Sequence, residues 1–522
     1  TINASTSAQV NAAEVTAISS SNISNINTLL TNAAKDGTPD PREFTAGSFV
    51  NLANVSVSDS TITLTDLNSA ITGANAVASG AVTKFALASG ATVNGGGESD
   101  FKNLMDIEGS AGSDNVNLSN QLLEISGTIS NITNANNFTA STTGTVTGEI
   151  VNTTRVSDLT GLTNSQANAK YTVTLNSADS GTATAANLNR IDGGTTEDVN
   201  MTNILALGAS DISDLTKLND SHGNFSNRGN LATITLTDNG GAASEVDFGA
   251  LADVIDAAQT NFKSTITFKF QAGDKIDIDN STELTKFLED IADPNPQLTL
   301  VDQKIVYSGG TISIANARSI AADTTGAVTA SIDTASRVAD LTTLYDPGTG
   351  SNETNAWTIV ISSDDASSSA ADLNTINSST SAQVNAAEVT TISSSAIADV
   401  GTLLTNAVKT GISREFTSGS FDNLGAVTLS DNTITVGDLN TAISNANSLA
   451  SSAVTKFTIS NGAALINDGG ESAFETLMSK EGAAGSDNIN LSTQKLTVTG
   501  TISSITNANN FTASTTGTVT GE

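Results

Sequence analysis

Residues 1–16, TINASTSAQVNAAEVT, return as TINSSTSAQVNAAEVT at residues 375–390. GTISNITNANNFTASTTGTVTGE at 127–149 returns at 500–522 with one change, Asn131 against Ser504. A chain that repeats itself this closely has to build the same local structure more than once. Each copy must also find something to pack against, usually its neighbour in a tandem array. The first copy continues past Glu149 into IVNTTRVSDL, the second reaches Glu522, and no initiator Met opens the chain. These features lead us to expect a window from a longer array, built for extent rather than for chemistry.

A weaker copy lies between the two strong ones. LNRIDGGTTEDVN at 188–200 matches LNTINSSTSAQVN at 373–385, TTGTVT at 142–147 matches TTGAVT at 324–329, and RVSDLTGL at 155–162 matches RVADLTTL at 337–344. KFALASG at 84–90 matches KFTISNG at 456–462 closely and TFKFQAG at 267–273 loosely. Equivalent starts at Thr1, Arg190 and Thr375 give units 1–189, 190–374 and 375–522. The third is incomplete and close to the first, and the second is divergent, so the array alternates.

Within a unit, strand-like and helix-like patterns alternate. YTVTLNS at 171–177 and WTIVISS at 357–363 have the period-two spacing and β-branched residues of strands. Each leads through an Asp- and Ser-rich turn into AANLNRI or AADLNTI, which reads as a short helix. TITLTDLNSAITGANAVASGAVTKFAL at 61–87 reads as strand, capped helix and strand, with the helix starting at the turn from Thr65 to Asp66; 433–459 repeats the plan from Gly437 and Asp438. The expected class is α/β, with parallel strands joined by crossovers. Two architectures fit: a repetitive β/α solenoid-like array, or a string of compact α/β or β-rich repeat domains. The scarcity of Pro- or Gly-rich linkers at the unit joins favours the first.

Composition then limits function. The formal net charge of −33 argues against nucleic acid, whose binding needs clustered Lys and Arg, and against anionic lipid. Only 14% of residues are charged and 38% are hydrophobic at regular spacing, which fits an ordered but thin core rather than disorder. No cysteine is present, so disulfides and thiolate metal sites are excluded. No apolar run approaches the ~20 residues of a membrane span.

Candidate chemistry is sparse. GSAGSDNVNL at 109–118 and GAAGSDNINL at 482–491 resemble one turn of the Gly- and Asp-rich calcium repeat, making Asp114 and Asp487 candidate ligands. Calcium takes six to eight oxygens, so one turn is half a site at best, and a tight turn entering a strand is the better account of the pattern. AGDKIDIDNSTEL at 272–284 adds Asp274, Asp277 and Asp279, with Asp277 and Asp279 on one side of a strand and Ile276 and Ile278 on the other. A solvated strand face competes with calcium there. The single histidine, His222, sits in a polar stretch with no acid–base company, and GGGES at 95–99 lacks the GK[ST] of a P-loop. Trp357 and Tyr171 open equivalent strands and suit core filling. An active site is not expected.

The phrases AADLNTINSSTSAQVNAAEVTTI, TTGAVTASIDTASRVADLTTL and AWTIVIS resemble the giant tandem-repeat surface proteins of marine unicellular cyanobacteria, of the swimming-motility and surface-layer type. The resemblance implies export, by type I secretion, to the cell surface or an extracellular layer. It implies no catalytic residues. The expected role is a structural segment that forms a filament or surface layer with copies of itself or neighbouring repeats, stabilised by calcium and linked to motility or adhesion. Cell-surface polysaccharide is a further candidate partner. The alternative is the stalk of an adhesin or phage tail fibre whose ligand-binding tip lies elsewhere.

Overall fold

The computed structural model describes residues 5–35, 43–79, 82–108, 115–151, 154–237, 245–263, 265–271, 273–292, 297–344, 355–411, 415–451, 454–467, 469–481 and 488–522. The fold is α/β, with sixteen α-helices among those residues and several small sheets. Every strand pairing described is parallel. Contacts divide the chain into two compact units, one of residues 1–239 and 253–269, the other of residues 240–252 and 270–522.

In the first unit the chain serves two sheets in alternation. Strand Asn54–Val57 pairs with Ala17–Ser21 on one side and Lys84–Ala86 on the other, and Lys84–Ala86 pairs with Val116–Asn117. A few residues after Asn54–Val57, strand Thr61–Thr63 enters a second sheet, which continues through Thr92–Gly96, Leu122–Ile129, Val146–Ile150, Ala169–Thr174, Val199–Asn200 and Phe225–Ser226. Registers advance by one segment at each step: Asn54 stands beside Lys84, Thr61 beside Thr92 and Thr92 beside Leu122. Strands Ala206–Ser210, Thr233–Leu236 and Thr267–Lys269 form a further parallel group. A parallel step needs a return path, and helices such as Leu64–Val77 and Ile132–Ser141 supply it.

The second unit repeats the scheme by itself. Ser367–Ser368, Thr391–Ser395, Ala426–Leu429 and Lys456–Ile459 make one sheet. Thr433–Thr435, Ala464–Asn467, Lys495–Val498 and Val519–Thr520 make another. Glu245–Asp247, Lys275–Ile278, Lys304–Ile312, Val328–Ile332 and Ala356–Thr358 form the third. The three KF-type phrases therefore sit in equivalent places, since Lys84, Lys456 and Thr267 each pair with the first residue of the preceding strand, Asn54, Ala426 and Thr233.

Strand alternation decides the core. Ala169, Tyr171 and Val173 point inward along one strand, and Val55 and Val57 along another, with polar neighbours outward. Helices contribute one narrow apolar stripe, as Leu64, Leu67, Ala70, Ile71 and Ala74 do in Leu64–Val77. That helix begins earlier than its sequence suggests. The Thr63 hydroxyl accepts the Asp66 N–H, and Thr435 does the same for Asp438, so both Asp residues lie inside the first turn. One backbone feature is strained and repeated: Phe49 and Phe421 have φ of 63° and 65°, each buried edge-on against a second ring, Phe44 or Phe416, at 5.3 Å. Among the described residues no helix is long and apolar enough to cross a membrane.

Candidate functional site

Of the candidate calcium residues, Asp274, Asp277 and Asp279 lie among the described residues. Asp114 and Asp487 lie outside the described residues. Next to them, Asn115 donates to the Thr83 carbonyl at 3.0 Å and Asn488 to the Thr455 carbonyl at 2.9 Å, so each polar run leads into the edge of a sheet. Asp274 shares the inward parity of Ile276 and Ile278, is 2% exposed, and accepts the Gln271 N–H at 2.9 Å, closing a turn. Asp277 faces outward as its parity requires and pairs with Lys275 at 2.9 Å. Asp279 accepts the Ser308 hydroxyl at 2.9 Å. Each of these carboxylates serves its own neighbours, and among the described residues no group of three His, Cys, Asp or Glu side chains is placed to hold a metal ion. The His222 ring sits 2.7 Å from the Asn219 carbonyl, with Nδ1 as the contacting atom.

What recurs instead is a set of fasteners between consecutive β/α segments. The most elaborate is a glutamate at the start of a helix. Glu98 accepts four hydrogen bonds from the following segment: Ser130 N–H and hydroxyl at 2.8 Å each, Asn131 N–H at 3.0 Å and Asn134 Nδ2 at 2.8 Å. Glu471 repeats this with Ser503 N–H at 2.8 Å, the Ser503 hydroxyl at 2.6 Å, Ser504 N–H at 3.1 Å and Asn507 Nδ2 at 2.7 Å. The accepted N–H groups sit at the entry to helices Ile132–Ser141 and Ile505–Ser514, where main-chain donors have no helical partner. A single carboxylate thus caps the next helix from outside it.

These bonds favour the charged form. Burial opposes the charge on Glu98, but the Ser130, Asn134 and Asn131 donors outweigh it and hold the carboxyl below its ordinary 4.5. For Glu471 the Ser503 hydroxyl and N–H lead, followed by Asn507, and the carboxyl is pulled down to about 2. A carboxyl with a depressed folded-state pKa stabilises fully above its unfolded value and loses that contribution as pH falls through the folded one. Urea midpoints should therefore fall between pH 4.5 and about 2, and Glu98→Gln with Glu471→Gln should flatten that part of the profile. An unchanged slope in the double variant would remove the clamp from the account.

A second fastener explains the TTG phrases. The Thr142, Thr324 and Thr515 hydroxyls donate to the main-chain oxygens of Gln121, Gln303 and Gln494 at 2.6, 2.7 and 2.5 Å. Gly144, Gly326 and Gly517 then donate back to those hydroxyls at 2.9, 3.0 and 2.8 Å. A third comes from the Leu-Asn pair in the helices: Asn189, Asn374 and Asn440 donate to the carbonyls of Asp214, Asp399 and Ala473, at 2.9, 2.9 and 3.0 Å, in the first turns of the next helices. Asp179 and Asp365 accept Val156 and Val338 N–H groups at 3.0 Å, tying helix starts to the segment that follows.

The sequence pointed to the TTG phrase as a repeat without its reason. It missed the glutamate clamp, although Glu98 lies inside the GGGES that fails as a P-loop and Glu471 inside GGES at 469–472. An open groove of about 760 Å³ between helices Ile23–Ala34 and Leu64–Val77 is lined by apolar Leu30, Ala34 and Ala76 together with Lys35, Asn68 and Thr72 among others. The recurring contacts join consecutive segments to one another. No family model matches the chain, and no curated protein matches it.

Proposed function

We propose that this chain is a structural segment of a giant, acidic tandem-repeat protein of the cell surface. Each unit acts as a stack of β/α coils, a short solenoid, and the repeated coil carries the function rather than any one residue. The observation that carries this reading is the TTG corner, which makes the same three-atom contact to the preceding segment at residues 142–144, 324–326 and 515–517. Repetition of a contact in all three sequence copies is what a coil stack requires, since each layer is stabilised by the next. Parallel pairing that advances one segment at a time supports the same reading.

In this proposal the chain is exported, associates with copies of itself in a filament or surface layer, and serves motility or adhesion. Calcium lowers the self-repulsion of a chain with formal net charge −33, bound diffusely by outward carboxylates, with Asp114 and Asp487 as further candidate ligands. The test is electron microscopy and thermal melting of the purified chain in millimolar calcium and in excess chelator. Filaments or lattices with calcium, and a Tm that falls on chelation, are the expected results. Isolated particles and one Tm in both conditions would contradict it, and rods with one distinct end would favour an adhesin stalk.

A further inference from the structure

We infer that Asn461 is a site of spontaneous main-chain-assisted deamidation, favoured by the fold over the Asn94–Gly95 pair; a third pair, Asn239–Gly240, lies outside the described residues. Asn461 and Gly462 are the central residues of the turn 460–463, closed by the Ala463 N–H donating to the Ser460 carbonyl at 3.1 Å. Both are exposed. Gly462 has φ +77°, which favours glycine, and a Cβ built there meets nothing within 4 Å. Neither the Asn461 amide nor the Gly462 N–H has a hydrogen-bond partner among the described residues. An unencumbered nitrogen thus follows an unencumbered amide in an open turn.

The chemistry needs only water. The Gly462 nitrogen, on losing its proton, attacks Asn461 Cγ; the N–Cγ bond forms, the Cγ–Nδ2 bond breaks, and ammonia leaves with that proton. The resulting succinimide takes up water at either carbonyl and opens to aspartate or to isoaspartate. Either product adds a negative charge, and isoaspartate lengthens the main chain within a turn joining strands Lys456–Ile459 and Ala464–Asn467, which belong to two different sheets. The modification therefore acts on a joint between sheets.

Two positions supply contrasts within the molecule. The same turn in the first copy holds Ser89 and Gly90, with Gly90 at φ +73°, so the geometry is present and the amide is absent. Asn94–Gly95 has the amide and a glycine at φ +77°, at a break in register against Leu122–Ile129, but Asn94 is half-buried in strand Thr92–Gly96 and paired with Thr63 on the other side. Partial burial and pairing with Thr63 restrict the movement that ring closure needs at Asn94.

The test is peptide mapping of the full chain after incubation at mildly alkaline pH, folded and in urea. In the folded chain the peptide containing 461–462 should gain the mass difference between NH2 and OH and split into two isomeric peaks. It should do so several-fold faster than the peptide containing 94–95, and the two rates should converge in urea. Asn461→Ser, the residue of the first copy, should abolish the new peaks without changing the circular dichroism. An unmodified 461–462 peptide, or equal folded-state rates at the two pairs, would overturn the inference.

Discussion

Replacing Trp357 by alanine should cost about 3–5 kcal/mol of folding free energy, the range for deleting a large aromatic side chain from a close-packed core. Trp357 is the only tryptophan and is 1% exposed, in strand Ala356–Thr358 and in register with Ala330. Its carbonyl accepts the Thr380 hydroxyl at 2.9 Å. Tyr171 occupies the equivalent place in the first unit, where its carbonyl accepts the Thr195 hydroxyl at 2.8 Å and its own hydroxyl donates to the Ala135 carbonyl at 2.8 Å. The two pockets are variants of one design, so Trp357→Tyr should cost clearly less than Trp357→Ala. Urea unfolding followed by far-ultraviolet circular dichroism reads both, because the substitution removes the fluorescent reporter. Equal losses for the two variants would mean that the pocket is not shared.

Glycine-to-alanine substitution at the TTG corners should be nearly as damaging, for the opposite reason. A Cβ at Gly144, Gly326 or Gly517 would lie 2.2, 2.1 or 2.0 Å from the carbonyl oxygen of Gln121, Gln303 or Gln494. That oxygen belongs to main chain already holding a threonine hydroxyl, so relief requires two segments to separate. Overpacking of this kind costs about 1–3 kcal/mol and occasionally more. Gly144→Ala and Gly326→Ala should each sit at or above the top of that range in urea titrations. Gly223→Ala, where a Cβ meets nothing within 4 Å, is the matched control and should stay within about 0.5 kcal/mol of the parent. Loss at the control as large as at the corners would deny the corners any special role.

The parts of this fold that were legible in the sequence are those whose cause is local. Period-two spacing placed Tyr171 and Trp357 inward in their strands, and the Asp277 side chain faces out for the same reason. Helices were visible from spacing, though the start at Leu64 depends on a Thr63 cap that precedes the apolar run. The contacts that join segments were not legible. Glu98 meets Ser130, Asn131 and Asn134, partners that no short-range pattern links to it. The one available signal was covariation between copies, and it was faint, since Asn131 becomes Ser504 while the clamp persists through main-chain donors. Asp274 carries a role that composition does not show: it shares the inward parity of Ile276 and Ile278, and its carboxylate accepts the Gln271 N–H and so closes a turn.

If each unit is a stack of coils, one whole step is removable and part of one is not. Asn54 stands in register with Lys84 and Thr61 with Thr92, so deletion of residues 54–83 removes two strands and helix Leu64–Val77 and leaves Lys84–Ala86 to take the place beside Ala17–Ser21. Deletion of residues 54–68 removes both strands and the start of that helix while stranding its remainder. Urea unfolding of the two variants, followed by far-ultraviolet circular dichroism, tests the coil stack most directly. The whole-step variant should keep the parental spectrum and a cooperative transition at a lower midpoint, and the part-step variant should lose cooperativity. Equal disruption by both deletions would contradict a stack of interchangeable coils.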